Sequence, residues 1–217
     1  MNSITLSKWQ QTEKPKSELL YNCSEFSKLN DEWVPFPIGL GWSIINYQGP
    51  LKNTQIGSHE ELVFCAINQG TDIRRRGSTP INRNNILANL SRNKIHNTYI
   101  DSSAYFNVLP NYKFIISPEG NGIDCHRHYE ALMAGCIPII EDHEGIMEKY
   151  KGCPVLYTKD YSEITQDYLE KTYSEMIDQV YDFSKVLLSS YSSEDQAQIR
   201  ANGNYWSHRL TGRYWYS

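Results

Sequence analysis

The sequence predicts an α/β protein built around a mainly parallel sheet, and three observations support this prediction. Short apolar runs of strand length alternate with segments that repeat apolar residues at helical spacing. Such alternation is typical of βαβ units, in which helices connect parallel strands. The chain has 217 residues, 40% hydrophobic and 12% aromatic, which is enough for a substantial core.

The elements follow one another in a regular order. Residues 1–32 are polar and aperiodic, and we expect them to wrap the surface or to pair with something outside the domain. An extended apolar run at 33–39 ends at a glycine and leads into a loop that reaches residue 58. After this loop we expect strands at 62–67, 95–100, 112–117, 137–140 and 154–157, and helices at 82–94, 103–109, 125–134, 145–150, 166–189 and 193–209.

Composition excludes several classes of protein. With 21 Lys+Arg against 25 Asp+Glu and no basic tail, the chain is not expected to bind nucleic acid. No apolar stretch approaches the roughly 20 residues of a membrane span, and the first residues carry no apolar signal core, so we expect a soluble cytoplasmic protein. The 5 cysteines include no C-x-x-C pair, which favours buried free thiols over a disulfide or zinc framework.

The segment 117–130 carries the strongest functional signal. It begins where the strand at 112–117 ends, passes through Gly120 and Gly122, and reaches Asp124, a plausible N-cap for the next helix. A glycine turn at a helix N-terminus offers free backbone N–H groups and the positive end of the helix dipole to an anion. Ligands of open α/β sheets collect at this carboxyl edge of the strands.

Spacing separates the faces of this helix. One face is expected to form a buried stripe of Cys125, Tyr129, Leu132 and Met133. The other carries His126, Arg127 and Glu130, where Arg127 suits a phosphate and Glu130 suits a pair of ribose hydroxyls. The pattern equally fits a common turn followed by a solvated helix face with charge pairs, so the residues alone leave both interpretations open.

Other site motifs are absent from the sequence. It has no Walker A, H-E-x-x-H or G-x-S-x-G motif, and no D-x-D pair to hold a metal on a diphosphate. His126 and His128 are two positions apart and would point to opposite sides of a helix, so no metal site is expected there. Arginine, lysine, histidine and helix ends would have to neutralise a bound diphosphate.

A long part of the chain resembles a known family. Residues 117–140 read SPEGNGIDCHRHYEALMAGCIPII and closely resemble the donor-site signature of exostosin-like glycosyltransferases. The match continues through CPVLY at 153–157 and DYSEIT at 160–165. Upstream, VPFPIGL at 34–40 resembles the short Pro-Ile-Gly element of that family, and Asn82-Arg83 before a helix resembles its Arg–helix unit. The similarity covers about residues 33 to 170.

This resemblance implies a GT-B architecture of two Rossmann-like lobes facing a cleft. A reduced acceptor-side lobe would span residues 1–100, and a donor lobe with terminal helices would span 101–217. The enzyme would need neither metal nor cofactor, and its donor would be a nucleotide-sugar, usually UDP-linked. The resemblance assigns ribose binding to Glu130, and diphosphate binding to the turn 120–122 with His126 and Arg127. The full set of residues expected to bind the donor is Ser117, Glu119, Gly120, Asn121, Gly122, Asp124, His126, Arg127 and Glu130.

The expected reaction is transfer of xylose or a similar sugar, with inversion, to a glycan or another hydroxyl acceptor. Arg83 and Arg127 are expected to stabilise the leaving diphosphate, and Asp72 is the one candidate for the base that deprotonates the acceptor. Asp72 also fits a loop residue paired with the run 74–76, and that run fits a solvated surface better than a phosphate clamp. The pairing interpretation of Asp72 is favoured over the catalytic one.

Two other functions stay open at this stage. The short N-terminal lobe, and Gly41-Trp42-Ser43 in place of an Asp-x-His-like pair, favour a non-catalytic nucleotide-sugar-binding module of a larger protein or complex. A Rossmann-like dehydrogenase or methyltransferase would carry its glycine fingerprint after the first strand, whereas the glycines here come late in the chain.

Overall fold

The computed structural model describes residues 20–22, 33–35, 39–41, 47, 49 and 55–201. The strands are β1 (Leu20–Asn22), β2 (Trp33–Pro35), β3 (Glu61–Phe64), β4 (Tyr112–Ile116), β5 (Ile137–Glu141) and β6 (Leu156–Thr158). The helices are α1 (Ile73–Arg76), α2 (Arg83–Arg92), α3 (Ser102–Val108), α4 (His126–Met133), α5 (Glu144–Lys149) and α6 (Gln166–Met176), and residues 193–201 are also helical.

Four of the strands form one parallel sheet in the order β3-β4-β5-β6. Phe114 lies opposite Val63 on one side and Ile137 on the other, so β4 is central. Every residue of β5 is buried, as expected for a parallel strand covered on both faces. β1 and β2 pair in parallel as a separate two-stranded sheet.

Helices cover both faces of the four-stranded sheet. On one face Leu90 of α2 and Leu169 of α6 pack into the cluster that contains Phe114. On the other face Phe106 of α3 and Ala131 of α4 pack with Ile115, the next residue along β4. Burial of each large side chain contributes roughly 1.5–3 kcal/mol, so the alternation along β4 fixes both layers. The result is a Rossmann-like α/β arrangement, as the sequence predicts.

The strand expected near residues 95–100 is wrong, because this segment is irregular. The Asn97 side chain takes the place of a ladder: its amide oxygen accepts from the Ile67 N–H at 2.8 Å, and its amide nitrogen donates to the Ile67 carbonyl at 3.0 Å. The Thr98 N–H donates to the Cys65 carbonyl at 2.8 Å. A side-chain amide that satisfies backbone groups removes the need for a further strand.

The first of the two expected C-terminal helices is shorter than expected. α6 begins at a cap in which the Thr165 hydroxyl accepts from the Tyr168 N–H at 3.2 Å, and it ends at Met176 instead of near residue 189. The Tyr181 hydroxyl donates to the Met176 carbonyl at 2.8 Å, which satisfies the end of the helix with a side chain. The helix expected at 193–209 is present over 193–201, and its remainder lies outside the described residues.

The expected boundary between residues 100 and 101 falls inside the four-stranded sheet. β3 precedes this boundary and pairs with β4 beyond it, with Phe64 opposite Ile115. Residues 61–158 therefore contribute to one sheet. Of the expected N-terminal lobe, residues 1–19, 23–32, 36–38, 42–46, 48 and 50–54 lie outside the described residues. Within the described part of the chain, no helix is both long and apolar enough to span a bilayer.

Candidate functional site

A cleft of about 750 Å³ opens at the carboxyl end of β3 and beside the start of α4. This is the edge of an open α/β sheet where ligands bind. The three polar residues that α4 was expected to offer to a ligand all line the cleft, together with Arg83 of α2. The described residues that line it are Ala66, Ile67, Asn68, Gln69, Thr71, Arg83, Asn97, Thr98, Tyr99, Ile100, Ser102, Tyr105, His126, Arg127 and Glu130.

Asp124 anchors α4 and does not cap it. The N-cap is Cys125, which has extended dihedral angles and makes no side-chain capping hydrogen bond. The Asp124 carboxylate is buried and accepts from the Tyr129 hydroxyl at 2.9 Å, the Lys149 ammonium at 2.8 Å and the Tyr150 hydroxyl at 2.7 Å. Burial alone would raise the pKa of Asp124, but Lys149 and the hydroxyl donors outweigh it and lower that pKa. The capping prediction is wrong because these donors compete for the carboxylate.

Glu130 faces the cleft but is not on a solvated surface. The residue is only 6% exposed, and its Oε1 lies 3.0 Å from the position that a Cβ at Gly41 would occupy. Burial raises the pKa of Glu130, while Arg127, the Gly41 amide and the Tyr105 hydroxyl oppose that rise. The expected polar helix face is thus an enclosed wall of the cleft. A buried carboxylate there strongly favours ligand groups that donate hydrogen bonds.

His126 lies beside Glu130 at the first position of α4 and is half-buried. Its Nδ1 is 2.8 Å from the Gly39 carbonyl oxygen, which fixes the ring against the segment 39–41. Burial lowers the pKa of His126, and the Gly39 contact only partly opposes this. Because the Gly39 carbonyl can only accept, a neutral His126 carries its proton on Nδ1, and its Nε2 is a hydrogen-bond acceptor.

Arg127 occupies the second position of α4 and is half-buried. Its guanidinium carbon lies 5.8 Å from the centre of the Tyr105 ring, in the range of a cation–π contact. Among the described residues no ion pair includes Arg127. The guanidinium is therefore available to an anion in the cleft.

Arg83 reaches the same cleft from the first position of α2, just after the N-cap Asn82. Its guanidinium donates to three backbone carbonyls: to Asn68 at 2.9 Å, to Pro118 at 3.2 Å and to Glu119 at 2.9 Å. Burial lowers the pKa of Arg83. Carbonyl oxygens orient a guanidinium without neutralising it, so Arg83 places a positive charge at a fixed position in the cleft.

Asp72 is buried, supports Arg83 through a hydrogen bond to its backbone, and does not line the cleft. Its Oδ2 accepts from the Arg76 Nε at 3.0 Å and from the Arg83 backbone N–H at 2.9 Å. This is the paired arrangement that the sequence favoured over a catalytic base.

The run 74–76 is neither solvated throughout nor a clamp on a ligand. Only Arg74 is exposed; Arg76 is buried and pairs with Glu141 at 2.8 Å and Glu119 at 3.4 Å, while Arg75 also pairs with Glu119. Burial disfavours the charged Arg76, but Glu141, Glu119 and Asp72 more than compensate and raise its pKa. Glu119, expected to bind the donor, is thus held in a buried charge network.

The glycine turn presents carbonyl oxygens to the chain's own arginines. Besides Pro118 and Glu119, Gly120 accepts from the Arg75 Nε at 3.3 Å. A Cβ added at Gly120 would lie 3.1 Å from the Arg83 Nη2, so glycine allows this close approach. Asn121 is exposed at the tip, and neither it nor Gly122 lines the cleft. In its described contacts, the turn therefore holds the side chains of Arg75 and Arg83 in place.

Ser117 is also placed away from the cleft. It is fully buried at the end of β4, and its hydroxyl lies 2.7 Å from the His128 Nδ1. His128 is fully buried too, and burial lowers its pKa to about 4. This pair is part of the core beneath α4.

Comparison with known families decides what kind of protein carries this cleft. Residues 78–201 match the family model of the RXYLT1 C-terminal domain, and this match covers more than half of the chain. The chain belongs to the RXYLT1 C-terminal domain family. The family is xylosyltransferase-related, so the chain is a glycosyltransferase-like domain. A search of curated proteins gives no significant match.

The match to the RXYLT1 C-terminal domain includes Arg83 and all of α4, but much of the remaining lining was not found from the sequence. Asn68, Gln69 and Thr71 follow the carboxyl end of β3, and the rule that ligands gather there could have found them. The lining residues 97–100 fall in a segment for which the sequence predicts a strand, and this prediction hides them. Tyr99 in this segment is 90% exposed.

The acidic side chains around the glycine turn pair with basic residues of the same domain. In the described ranges no group of three or more His, Cys, Asp and Glu side chains could hold a metal ion. The carboxylates nearest the turn are instead taken up by Arg75, Arg76 and Lys149.

Proposed function

We propose that the chain transfers a sugar, xylose or a close relative, from a UDP-sugar to a hydroxyl group of a glycan or another acceptor. The observation that carries the proposal is the meeting of Arg83, Arg127 and the buried carboxylate of Glu130 in one cleft. Membership of a xylosyltransferase-related family supports the sugar class. In this proposal the domain is the donor lobe of an exostosin-like GT-B enzyme.

The two arginines would bind the donor diphosphate. Arg83 is aimed by three carbonyls and Arg127 lies free of carboxylate pairs in the described part of the chain, so both charges can act on the ligand. The start of α4 adds the positive end of an 8-residue helix. Negative charge grows on the diphosphate as the sugar bond breaks, and fixed cations stabilise that charge without metal.

Glu130 would bind the ribose. A carboxylate has about four acceptor positions, and the two ribose hydroxyls are donors that match it. The Gly41 amide and Arg127 favour the ionised form despite burial. A ribonucleotide therefore fits this wall of the cleft better than a deoxyribonucleotide does.

One observation favours the second candidate, a nucleotide-sugar-binding module without catalysis of its own. Inverting transfer needs a base for the acceptor hydroxyl, and Asp72, the candidate, is buried against Arg76 and the Arg83 backbone. In our proposal Asp72 positions Arg83, and the base comes from elsewhere. Release of UDP from UDP-xylose, with and without hydroxyl acceptors, separates the two candidates. Binding without turnover would favour the module.

Calorimetric titration tests the proposed donor site. UDP should bind more tightly than uridine, and Glu130→Gln should weaken UDP by roughly 10- to 100-fold, the scale of a hydrogen bond to a charged group. Glu170→Gln on the exposed side of α6 is the matched control and should bind UDP as the unmodified chain does. Unchanged affinity in Glu130→Gln, or no UDP binding by the unmodified chain, would overturn the proposal.

A further inference from the structure

The segment 39–41 lies against the start of α4, far from it in sequence. The Gly39 carbonyl oxygen is 2.8 Å from the His126 Nδ1, across a separation of 87 residues. Gly41 lies against the Glu130 carboxylate, and its backbone amide lowers the pKa of that group. Two neighbouring cleft residues of α4 are therefore contacted by one short backbone segment.

Gly41 has little room for a side chain. A Cβ placed there would lie 3.0 Å from Glu130 Oε1 and 3.3 Å from the His126 Cβ. Both distances are below the roughly 3.5–4.0 Å of a favourable contact between heavy atoms. The Gly41 backbone does not adopt the left-handed region, so an alanine would meet these tight contacts without backbone strain.

We propose that Gly41 is a positioning residue for Glu130 and sets the preference of the cleft for a ribonucleotide. Its amide takes one acceptor position of the carboxylate and fixes the side chain, while the missing Cβ lets the other acceptor positions face the ligand. This inference rests on the proposed function, in which Glu130 binds the ribose.

The effect should be confined to the sugar of the nucleotide. A methyl group at position 41 would lie 3.0 Å from Glu130 Oε1 and 3.3 Å from the His126 Cβ, so the end of the Glu130 side chain would have to shift by a few tenths of an ångström. The three atoms nearest that position belong to Glu130 and His126 and not to Arg83 or Arg127, so the diphosphate contacts should persist. Loss of affinity should therefore appear for UDP and not for a nucleotide that lacks the hydroxyl groups.

The test compares UDP with 2′,3′-dideoxy-UDP by calorimetry. The unmodified chain should prefer UDP by about tenfold or more, and Gly41→Ala should reduce the ratio of the two affinities to near one. Gly70→Ala is the matched control, because its Cβ would meet only the Asn68 Oδ1 at 3.6 Å and the Ile73 Cδ1 at 3.8 Å, which are ordinary contacts. It should keep the ratio of the unmodified chain.

A second test of the inference needs neither a ligand nor a substitution. In the unmodified chain, NMR should show the Gly41 amide proton shifting with the same pH midpoint as the Glu130 carboxyl carbon, since in this proposal the amide donates to that carboxylate. An amide that does not follow Glu130 overturns the inference even if Gly41→Ala fails to fold. A preference for UDP that persists in folded Gly41→Ala overturns the inference and leaves the proposed function standing. No UDP binding by the unmodified chain overturns the proposed function, and the inference with it.

Discussion

The side chain of Arg127 is half-buried, yet among the described residues it forms no ion pair. Tyr105 packs beneath its guanidinium, at 5.8 Å from the ring centre, and supports it without neutralising it. Glu130 lies one turn further along α4 and also faces the cleft. An arginine in this setting should matter more to a transition state than to folding.

Arg127→Ala should lower kcat/KM for donor turnover by roughly 100- to 1,000-fold, about 2.7–4 kcal/mol, as removal of one fixed donor from a developing anion does. Arg127→Lys keeps the charge but loses the planar fork, so it should bind UDP with modest loss and turn over more slowly. Arg92→Ala at the exposed end of α2 is the control. Kinetics of Arg127→Ala that match Arg92→Ala would show that Arg127 is only a surface residue.

His128 makes a pH-dependent contribution to stability. Its pKa is about 4 in the folded chain against 6.5 for an ordinary histidine, mainly because of burial, with Lys149 and Arg127 adding to the effect and Asp124 opposing it. The unfolded chain therefore binds the extra proton first. This contribution is fully present above pH 6.5 and is lost as the pH falls towards 4.

Urea unfolding between pH 7 and 4 should show a loss of up to about 3 kcal/mol from this group, at 1.36 kcal/mol per pKa unit. His128→Gln loses the Ser117 contact and should be less stable at pH 7, but its stability should fall less steeply with decreasing pH. His96→Gln, at an exposed position, should keep the slope of the unmodified chain. A His128→Gln slope equal to that of His96→Gln would contradict the burial argument.

At the scale of elements, a buried charge network joins α1, the turn after β4 and the end of β5. Arg76 of α1 pairs with Asp72 on its own loop, Glu119 in the turn and Glu141 in β5. The Tyr161 hydroxyl adds a hydrogen bond to Glu141 at 3.2 Å. The network fixes the carbonyls that aim Arg83, so stability and site geometry depend on the same contacts.

Arg76→Met should destabilise the chain by about 3–5 kcal/mol, because it leaves buried carboxylates without a partner. Arg74→Met on the same helix is exposed and should change the free energy of unfolding by no more than about 0.5 kcal/mol. Chemical denaturation of both variants gives the two values. A loss below 1 kcal/mol in Arg76→Met would show that the network contributes little.

At the scale of the whole molecule, the parallel sheet brings two arginines to one edge. Arg83 follows β3 and Arg127 follows β4, and these strands are neighbours in the sheet. Parallel strands all end at the same edge, so the residues that follow them meet there. Metal-independent binding of a diphosphate is what this pair of cations would support.

UDP binding, and any donor turnover, should therefore survive EDTA, because Arg83 and Arg127 would supply the positive charge at the diphosphate. Calorimetry with and without chelator measures this directly. Loss of binding on chelation, restored by Mn²⁺ or Mg²⁺, would rule out this part of the mechanism. The Arg83→Ala/Arg127→Ala double variant should lose UDP binding in either condition.

The sequence alone determined the elements whose signals are local. The apolar runs gave β3 to β6, and the turn after β4 and the polar residues of α4 were recognisable from spacing and from family resemblance. These elements can be predicted because the periodicity of strands and helices depends on residues that are close together in the sequence. The prediction of a strand at 95–100 failed because the Asn97 side chain accepts a hydrogen bond from the Ile67 N–H. The two residues are 30 positions apart, which is beyond the reach of a local sequence pattern.

Only the tertiary structure decided which polar groups face the cleft and which face one another. Glu119, Asp124 and Glu130 are similar carboxylates in one short segment, yet the first meets Arg75 across 44 residues, the second meets Lys149 across 25, and the third faces the cleft. Ion-pair energies depend on distance and burial, and both are set by the packing of α1 and α5 against the sheet. From residue type alone, each of the three carboxylates could be expected to bind a ligand. In the folded chain, Glu130 is the one of the three that lines the cleft.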